Sequence, residues 1–535
     1  MPPAAENGTS GGKKPIPLRS KFSRRFYEPI LLEAALKETR PPVFSATQHE
    51  PNTMNDNADS AEQSFKCFVN RLAQVCDNIR GGNGATITSI AVLEEPEGIH
   101  YIVGANNRKL TELKNVEDYV KQLLKIFSKP IEQPTNTTLP VGREALWHIL
   151  RFNKQRINYY LTGAVNHLEE CIEDYDRRHV EIPLASDALR FRGQLSELKE
   201  LLAFEKNGEL NELHELQFFA SCERVFLFID DNQRLKLGDS ISEQAREGRM
   251  DSSKPWLELR HFLGRLHSYH IAVKTMLRAR RFWDRLWDDI KVTVIPSATA
   301  IPHPLNKKRP NASEIIGRMT SAEELLETYR SRAARLQELH LDEKILAECN
   351  SASHTHTVHA EILVLDYVLR YLRDTEDAHF YSSWQYIGTC KPVCRLCNYY
   401  FMAHPSRVQV RESSNNLYPH WRVPDVFDDS TMTETEKHLQ AVIVRTRADA
   451  LRSLMSQTLQ GRKYDSNSFS DMPPPFASLR TGTGTPSMSD ITSRVSNLKI
   501  ITEEDDRSVV GEREDEEEEK IDAVFRGRRS VLSRR

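Results

Sequence analysis

The sequence predicts an α/β protein with a large all-helical insertion and disordered termini. Three observations support this fold class. A helical pattern followed by two strand-like runs occupies residues 64–107, and further helix and strand patterns lie at 351–424. Between these regions the hydrophobic periodicity is helical only. Both ends of the chain are dominated by polar and charged residues, a composition that cannot bury a core.

The composition limits the class of the protein. Of 535 residues, 39% are hydrophobic and 28% charged, and the mean hydropathy is −0.55; so low an apolar share predicts disordered segments. No run of about 18 apolar residues occurs, so we expect no transmembrane helix and no membrane partner. The N-terminus lacks the apolar region of a secretory signal, which predicts an intracellular location, in the cytoplasm and/or nucleus. The net charge of −3 argues against a charge-driven nucleic-acid binder.

The first ordered elements follow from residue spacing. Apolar residues recur at three- and four-residue steps over 64–79, which predicts a helix that the GGNG segment ends. Strand-like runs at 86–94 and 99–107 flank EPEG, a turn sequence, and together predict a β-hairpin. A second helix is expected at 115–127.

The middle of the chain, from residue 141 to about 348, reads as a helical bundle without a fixed repeat. We interpret its Trp, Tyr and Leu stripes as core, and its basic run RARRFWDR as a solvated helix face rather than a phosphate site. The ends are predicted to be disordered, apart from a short helix near 29–36. The predicted organisation is therefore a disordered N-terminal region, a first core part, a helical insertion, a second core part and a disordered tail with an acidic run, at residues 1–60, 61–108, 109–350, 351–458 and 459–535.

The residues that carry chemistry begin in SHTHTVHAEILVLDYVLRYLRD, which ends in a strongly apolar helix. Glu361 lies away from the polar stripe of this helix, and a carboxylate on an apolar side is costly unless a partner or a task holds it there. His359 precedes it by two residues, so both can approach one point only if His359 stands at the helix start. Thr357 is a plausible helix cap just before it.

A second helix start follows a predicted strand at 385–389. Cys394 and Cys397 are three residues apart in the predicted first turn, so both thiols face one point, and the helix N-terminus favours their thiolates. One imidazole and two thiolates suit a zinc ion with an open fourth position, and Glu361 could move the proton of a water there. An H-x-E pair and a C-x-x-C pair at two helix starts form the zinc deaminase signature.

Alternatives exist for this site. His354 or His356 could replace His359 as the ligand, although the H-x-E spacing favours His359. Cys390 could complete a four-ligand structural zinc site with His359, Cys394 and Cys397. A redox role for the cysteine pair would leave the carboxylate on the apolar side unexplained.

The order helix, hairpin, His-Ala-Glu helix, strand, Cys-x-x-Cys helix, strand resembles the cytidine deaminase-like superfamily. The stretch YIGTCKPVCRLC, with HAE upstream and LYPHWRVP downstream, most resembles its OTT-like group of mostly fungal nucleic-acid or nucleotide deaminases. The resemblance covers residues 351–425 and extends weakly to 64–107. It implies a three-layer α/β/α core in which the hairpin pairs with the strand at 385–389. Two departures are Val393, which separates Pro392 from the first cysteine, and the long interval 108–357.

The resemblance also implies roles for individual residues. His359, Cys394 and Cys397 would bind Zn²⁺, Glu361 would shuttle protons, and Asn106 would bind substrate, although a turn asparagine is the simpler interpretation. The implied partner is a nucleotide or a single-stranded nucleic acid, and protein partners are unknown. A catalytically inactive deaminase-like zinc module acting as an interaction scaffold is the alternative function. Further aromatic residues could stack on a base or pack the strand end: Tyr418, His420 and Trp421.

Overall fold

A computed structural model describes thirteen segments of the chain: residues 14–39, 42–43, 52–54, 60–79, 84–129, 140–179, 186–204, 212–233, 237–247, 250–306, 308–350, 355–456 and 459–460. These residues form a mixed α/β structure with many helices. The helices are α1 (Ser20–Glu38), α2 (Ala61–Cys76), α3 (Leu110–Ser128), α4 (Val141–Arg178), α5 (Ser186–Leu202), α6 (Glu212–Gln233), α7 (Leu237–Glu247), α8 (Met250–Phe282), α9 (Ala312–Met319), α10 (Glu323–Leu336), α11 (Leu341–Asn350), α12 (Ala360–Asp374), α13 (Arg395–Ala403) and α14 (Asp429–Met455).

The strands form one principal sheet. They are β1 (Pro42–Val43), β2 (Thr88–Glu95), β3 (Gly98–Ala105), β4 (Lys291–Val294), β5 (Ile301–Pro302), β6 (Thr355–His356), β7 (His379–Phe380), β8 (Tyr386–Thr389), β9 (Gln409–Val410) and β10 (Leu459–Gln460). The principal sheet has the order β4-β3-β2-β8-β9, and β7 also pairs with β2. Two small pairs, β1 with β10 and β5 with β6, lie apart from it.

The hairpin belongs to the same sheet as the strand that precedes the cysteine pair. β2 runs antiparallel to β8, with Ser89 opposite Thr389 and Ala91 opposite Ile387, while β8 and β9 are parallel. The predicted pairing of the hairpin with residues 385–389 is therefore confirmed. The long-range contact joins regions that are about 300 residues apart in the chain.

Helices cover both faces of the sheet. Alternate residues of β2 point to opposite sides, so Ile90 and Val92 pack with α2 and the helical insertion. Ala91 and Leu93 pack with α12, α13, α1 and α14. Gly388 allows α2 to lie against β8, because a Cβ there would be 2.5 Å from Cγ1 of Val69.

The region expected to be an all-helical insertion also contains strands. β4 pairs in parallel with β3, with Tyr101 opposite Val292, and forms the edge of the principal sheet. The chain then crosses towards α12, where β5 pairs with β6. Only four residues of β4 are extended, too few to produce a periodic signal against the long helices around them.

The N-terminal region contains a longer helix than the short one expected near 29–36. α1 begins at Ser20, and its Phe26, Ile30, Leu31 and Leu32 are fully buried. Its partner is α14: Nη2 of Arg25 donates to Oε1 of Gln440 at 2.8 Å. α9 and α11 also pack on α1, and the helix was underestimated because all three partners are distant in sequence.

Within the described part of the chain, we find no helix with an apolar stretch sufficient to span a lipid bilayer. The predicted acidic run at 512–519 lies outside the described residues.

Candidate metal centre

The start of α12 is anchored to the exit of the hairpin. His359 is the N-cap residue, and the next backbone N–H, of Ala360, donates to Oδ1 of Asn106 at 2.7 Å. Nδ2 of Asn106 donates in turn to the carbonyl of Gly84 at 3.1 Å. Gly104 makes this close approach possible, because a Cβ there would be 2.7 Å from Cγ2 of Val364. The hairpin thus fixes the position of His359 through the backbone of the following residue.

Thr357 does not cap α12, contrary to expectation. Its N–H donates to the carbonyl of His420, and its carbonyl accepts from the N–H of Arg422, both at 3.0 Å. Thr357 therefore forms a parallel bridge with Trp421. The segment before His359 is held by the chain that follows β9. The side chain of Asn106, rather than that of Thr357, accepts from the first amide of α12.

The start of α13 presents the two cysteines. Cys394 is the N-cap residue, and its Sγ accepts from the N–H of Cys397 at 3.3 Å. Between them, Arg395 extends to α1, where its Nη1 lies 2.6 Å from Oε1 of Glu33 in a buried ion pair. The first turn of α13 is therefore fixed by its own amide and by the N-terminal helix.

The three predicted ligands meet at one point. Nδ1 of His359 lies 3.5 Å from Sγ of Cys394 and 3.3 Å from Sγ of Cys397, and the ligand atoms lie within 4.8 Å of one another. A tetrahedral zinc ion with Zn–N of about 2.0 Å and Zn–S of about 2.3 Å separates nitrogen and sulfur by about 3.5 Å. The observed separations are close to this value, so the donor set and its spacing fit such an ion.

Glu361 lies beside the three ligands. Its Oε1 is 3.9 Å from Nδ1 of His359, and the two side chains are only 5% and 14% exposed. Burial raises the pKa of Glu361, and the neighbouring Cys394 adds to the effect. The charge of His359 opposes the shift without cancelling it, and a carboxyl group with a raised pKa binds a proton more readily than an ordinary one.

The charges of the ligands depend on one another. Burial raises the pKa of Cys394, but the hydrogen bond from Cys397 and the charge of His359 lower it more, so the net pKa lies well below its ordinary value. Burial and the charge of Cys394 raise the pKa of Cys397 well above normal. One thiolate thus forms readily beside the imidazole, whereas a second needs an additional positive charge, which a divalent cation supplies.

The alternative ligands lie elsewhere or outside the described residues. Cys390 is directed away from the site: its Sγ accepts from the N–H of Thr88 at 3.3 Å and lies 3.7 Å from Oδ2 of Asp77. The alternative prediction, a closed four-ligand zinc site that includes Cys390, is therefore wrong. His356 is buried with its ring 4.5 Å from that of His303. His354 falls outside the described residues.

The three aromatic residues after β9 have different environments. Trp421 is fully buried, and its indole N–H donates to Sγ of Cys397 at 3.1 Å. Nε2 of His420 lies 2.8 Å from Oε1 of Glu348. Tyr418 is 39% exposed, and its ring centroid is 6.5 Å from that of His359. Only Tyr418 of the three combines an open ring with a position beside the site.

Some contacts of the site were not predicted. The role of Asn106 as acceptor for Ala360, the contact of Trp421 with Cys397 and the pair Arg395–Glu33 all join residues remote in sequence. No local spacing signals them. Only the contact of Trp421 had any signal in the sequence, because a tryptophan in the polar stretch after the cysteines is expected to be buried nearby.

Residues 358–425 match the family model described as OTT_1508-like deaminase. The matched segment begins one residue before His359, contains both cysteines and includes Trp421. The deaminase-like segment therefore coincides with the candidate metal centre, and the long helices between residues 110 and 282 lie outside it. No curated protein and no solved structure matches the chain.

Proposed function

We propose that this chain is a zinc-dependent hydrolytic deaminase of a nucleobase, acting on cytosine in a nucleotide or single-stranded nucleic acid. The observation that carries the proposal is the convergence of His359, Cys394 and Cys397 at two helix starts, with Glu361 beside them, inside the segment that matches a deaminase family model. In the described residues this is the one group of ligand atoms spaced for a metal ion.

The arrangement supplies the groups that hydrolytic deamination needs. Bound zinc would act as a Lewis acid that makes water nucleophilic near neutral pH. Glu361 takes one proton from the attacking water at its carboxylate and delivers it to N3 of the ring, and it then carries the second proton, from the new hydroxyl on C4, to the departing amine. A C4–O bond forms, the C4–N bond breaks, and ammonia leaves as the balancing product. The buried position of Glu361 keeps bulk water from competing for this proton.

Substrate contacts belong to the same proposal. The open ring of Tyr418 beside His359 offers a surface on which a base can stack. Asn106 uses its oxygen for Ala360 and one amide hydrogen for Gly84, so the second hydrogen of Nδ2 is what it can offer a substrate.

The experiment compares the parent with Glu361→Gln on cytidine, cytidine monophosphate, RNA and single-stranded DNA. Conversion of cytosine to uracil is followed by mass spectrometry, and zinc content by elemental analysis. We expect Glu361→Gln to retain zinc and lose about 10²–10⁴-fold in rate, the usual contribution of general acid–base catalysis. Glu376→Gln, on an exposed residue beyond the far end of α12, is the matched control and should be fully active.

The second candidate function is an inactive deaminase-like zinc module that serves as an interaction scaffold. The low exposure of His359 and Glu361 favours it, because little open surface remains for a base. A zinc-loaded parent without activity on all four substrates would support the scaffold over the enzyme. Glu361→Gln with full activity would refute the assignment of the proton shuttle.

We also propose an intracellular location, in the cytoplasm and/or nucleus. All eight cysteines are unbridged, the state that reducing compartments maintain.

A further inference from the structure

Trp421 joins the two halves of the metal centre. Its backbone lies in a parallel bridge with Thr357, two residues before His359. Its side chain crosses to α13, where Nε1 is 3.1 Å from Sγ of Cys397. An indole nitrogen is a donor only, so the sulfur must accept this hydrogen bond. Trp421 therefore contacts both the segment that leads to His359 and the thiol of Cys397.

The position of the indole is fixed by aromatic packing. The ring of Phe26, from α1, has its centroid 5.5 Å from that of Trp421, and the ring of Tyr400, from α13, lies at 5.9 Å. No part of Trp421 is exposed. A buried indole that is held on two sides cannot turn away from the sulfur without displacing its neighbours.

The two sulfur atoms have different donors. Sγ of Cys394 accepts from a backbone amide of its own helix turn, that of Cys397. Sγ of Cys397 instead accepts from Trp421, a side chain 24 residues further along the chain. Helix geometry alone orients the first ligand, whereas the second depends on a residue from another segment.

We propose that Trp421 is a positioning residue of the metal centre, whose indole N–H orients Sγ of Cys397 towards the ion shared with His359 and Cys394. This inference rests on the proposed zinc centre. Groups that orient metal ligands typically change metal affinity about 10–100-fold when removed. Trp421 supplies this function from outside the H-x-E and C-x-x-C pairs.

The first test uses the parent chain labelled with ¹⁵N at its six tryptophan indoles and loaded with ¹¹³Cd²⁺. Magnetisation transfer across an N–H···S–Cd bridge should appear for one indole, and that signal should be missing in Trp421→Phe. Cadmium bound in a one-to-one ratio without coupling to any indole would overturn the role of Trp421 and leave the metal centre intact. Absence of cadmium binding would instead refute the metal centre itself, and with it this inference.

The second test measures zinc affinity by competition with a chelator. Trp421→Phe keeps an aromatic ring and removes the N–H, and we expect a loss of about 10–100-fold. The matched control is Trp256→Phe, because Trp256 is equally buried but donates to Oδ2 of Asp174, within the insertion. Unchanged zinc affinity in a folded Trp421→Phe protein would overturn the inference. If this variant does not fold, the coupling in the parent chain still decides it.

Discussion

Nη1 of Arg156, on helix α4 of the insertion, lies 2.6 Å from Oδ1 of Asp77 at the end of α2. The two side chains are only 9% and 6% exposed. Sγ of Cys390 and Nζ of Lys391, just before the cysteine pair, lie 3.7 and 3.8 Å from the other carboxylate oxygen. The insertion therefore supports the loop that leads into the metal centre.

Removing one partner of this buried pair should destabilise the protein strongly. We expect Arg156→Met to lower the free energy of unfolding by about 3 kcal/mol, because the carboxylate of Asp77 would stay buried with only the longer contact to Lys391 as its cation. Asp77→Leu combined with Arg156→Met should recover much of the loss. Urea unfolding measures both.

An ion pair at the surface, between α4 and α6, provides the control for this prediction. Arg151 contacts Glu215 at 2.8 Å on the surface, so Arg151→Met should cost at most about 1 kcal/mol. Equal effects of Arg151→Met and Arg156→Met would contradict the structural role of the buried pair.

The cysteines separate into ligands and a non-ligand. Cys394→Ser or Cys397→Ser should lose zinc and destabilise the C-terminal half, because each removes one of three ligand atoms. Cys390→Ser should keep zinc, because its sulfur faces Thr88 and Asp77. Elemental analysis of the three purified variants checks this, and full zinc occupancy in Cys394→Ser and Cys397→Ser would disprove the site.

Two glycine-to-alanine changes should have opposite signs. A Cβ at Gly388 would be 2.5 Å from Cγ1 and 2.8 Å from the backbone carbon of Val69, so Gly388→Ala should cost roughly 1–3 kcal/mol through overpacking between β8 and α2. A Cβ at Gly193, within α5, meets nothing within 4 Å, and Gly193→Ala should gain about 0.5–1 kcal/mol of helix stability. Thermal unfolding compares the two, and a stabilised Gly388→Ala protein would show that the contact between β8 and α2 is looser than described.

Stability should fall in mild acid partly because of His404, the C-cap of α13. Burial, with the nearby His438, lowers the pKa of His404 to about 4. The unfolded chain therefore takes up a proton near pH 6.5 while the folded chain stays neutral until about pH 4. The contribution is complete above the unfolded pKa and is lost as the pH falls through this window, by about 1–2 kcal/mol because solvent screens this partly exposed ring.

The test is the pH dependence of urea unfolding between pH 7 and about pH 4.5. His404→Gln should show a flatter slope than the parent. His379→Gln, on an exposed histidine, should keep the slope of the parent. A His404→Gln slope equal to that of the parent would remove His404 as a cause.

Hydrophobic periodicity predicted the helices and strands in which buried residues recur at a regular spacing along one segment. The helix before the hairpin, the hairpin itself and the cysteine helix were found within a few residues of their observed bounds. The three ligands and Glu361 were also predicted to lie together. His359 and Glu361, and likewise Cys394 and Cys397, have spacings that let both side chains of a pair face one point when the pair stands at a helix start. The structure brings all four together.

What sequence reasoning missed depends on distant partners. The burial of α1 is caused by α9, α11 and α14, and the edge strand β4 pairs with β3 across nearly 200 residues of sequence. The indole of Trp421 finds a sulfur, and Asn106 finds a backbone amide 254 residues away. No window of local sequence contains both members of these pairs, so propensity and spacing cannot reveal them.

The pairing of α1 with α14 has a consequence for biosynthesis. Arg25 and Gln440 are separated by 415 positions, so at about 5–20 residues per second the ribosome needs roughly 20–80 s to deliver the partner of α1 after α1 itself. During this interval the part of α1 that packs on α14 has no cover, although α9 and α11 emerge earlier and pack on Leu32 and Leu36. For most of it, Glu33 cannot yet reach Arg395. Limited proteolysis of stalled nascent chains should cut within 20–38 until α14 has emerged. The support that α1 gives the metal centre through Arg395 and Trp421 is thus completed late, when α14 packs on α1.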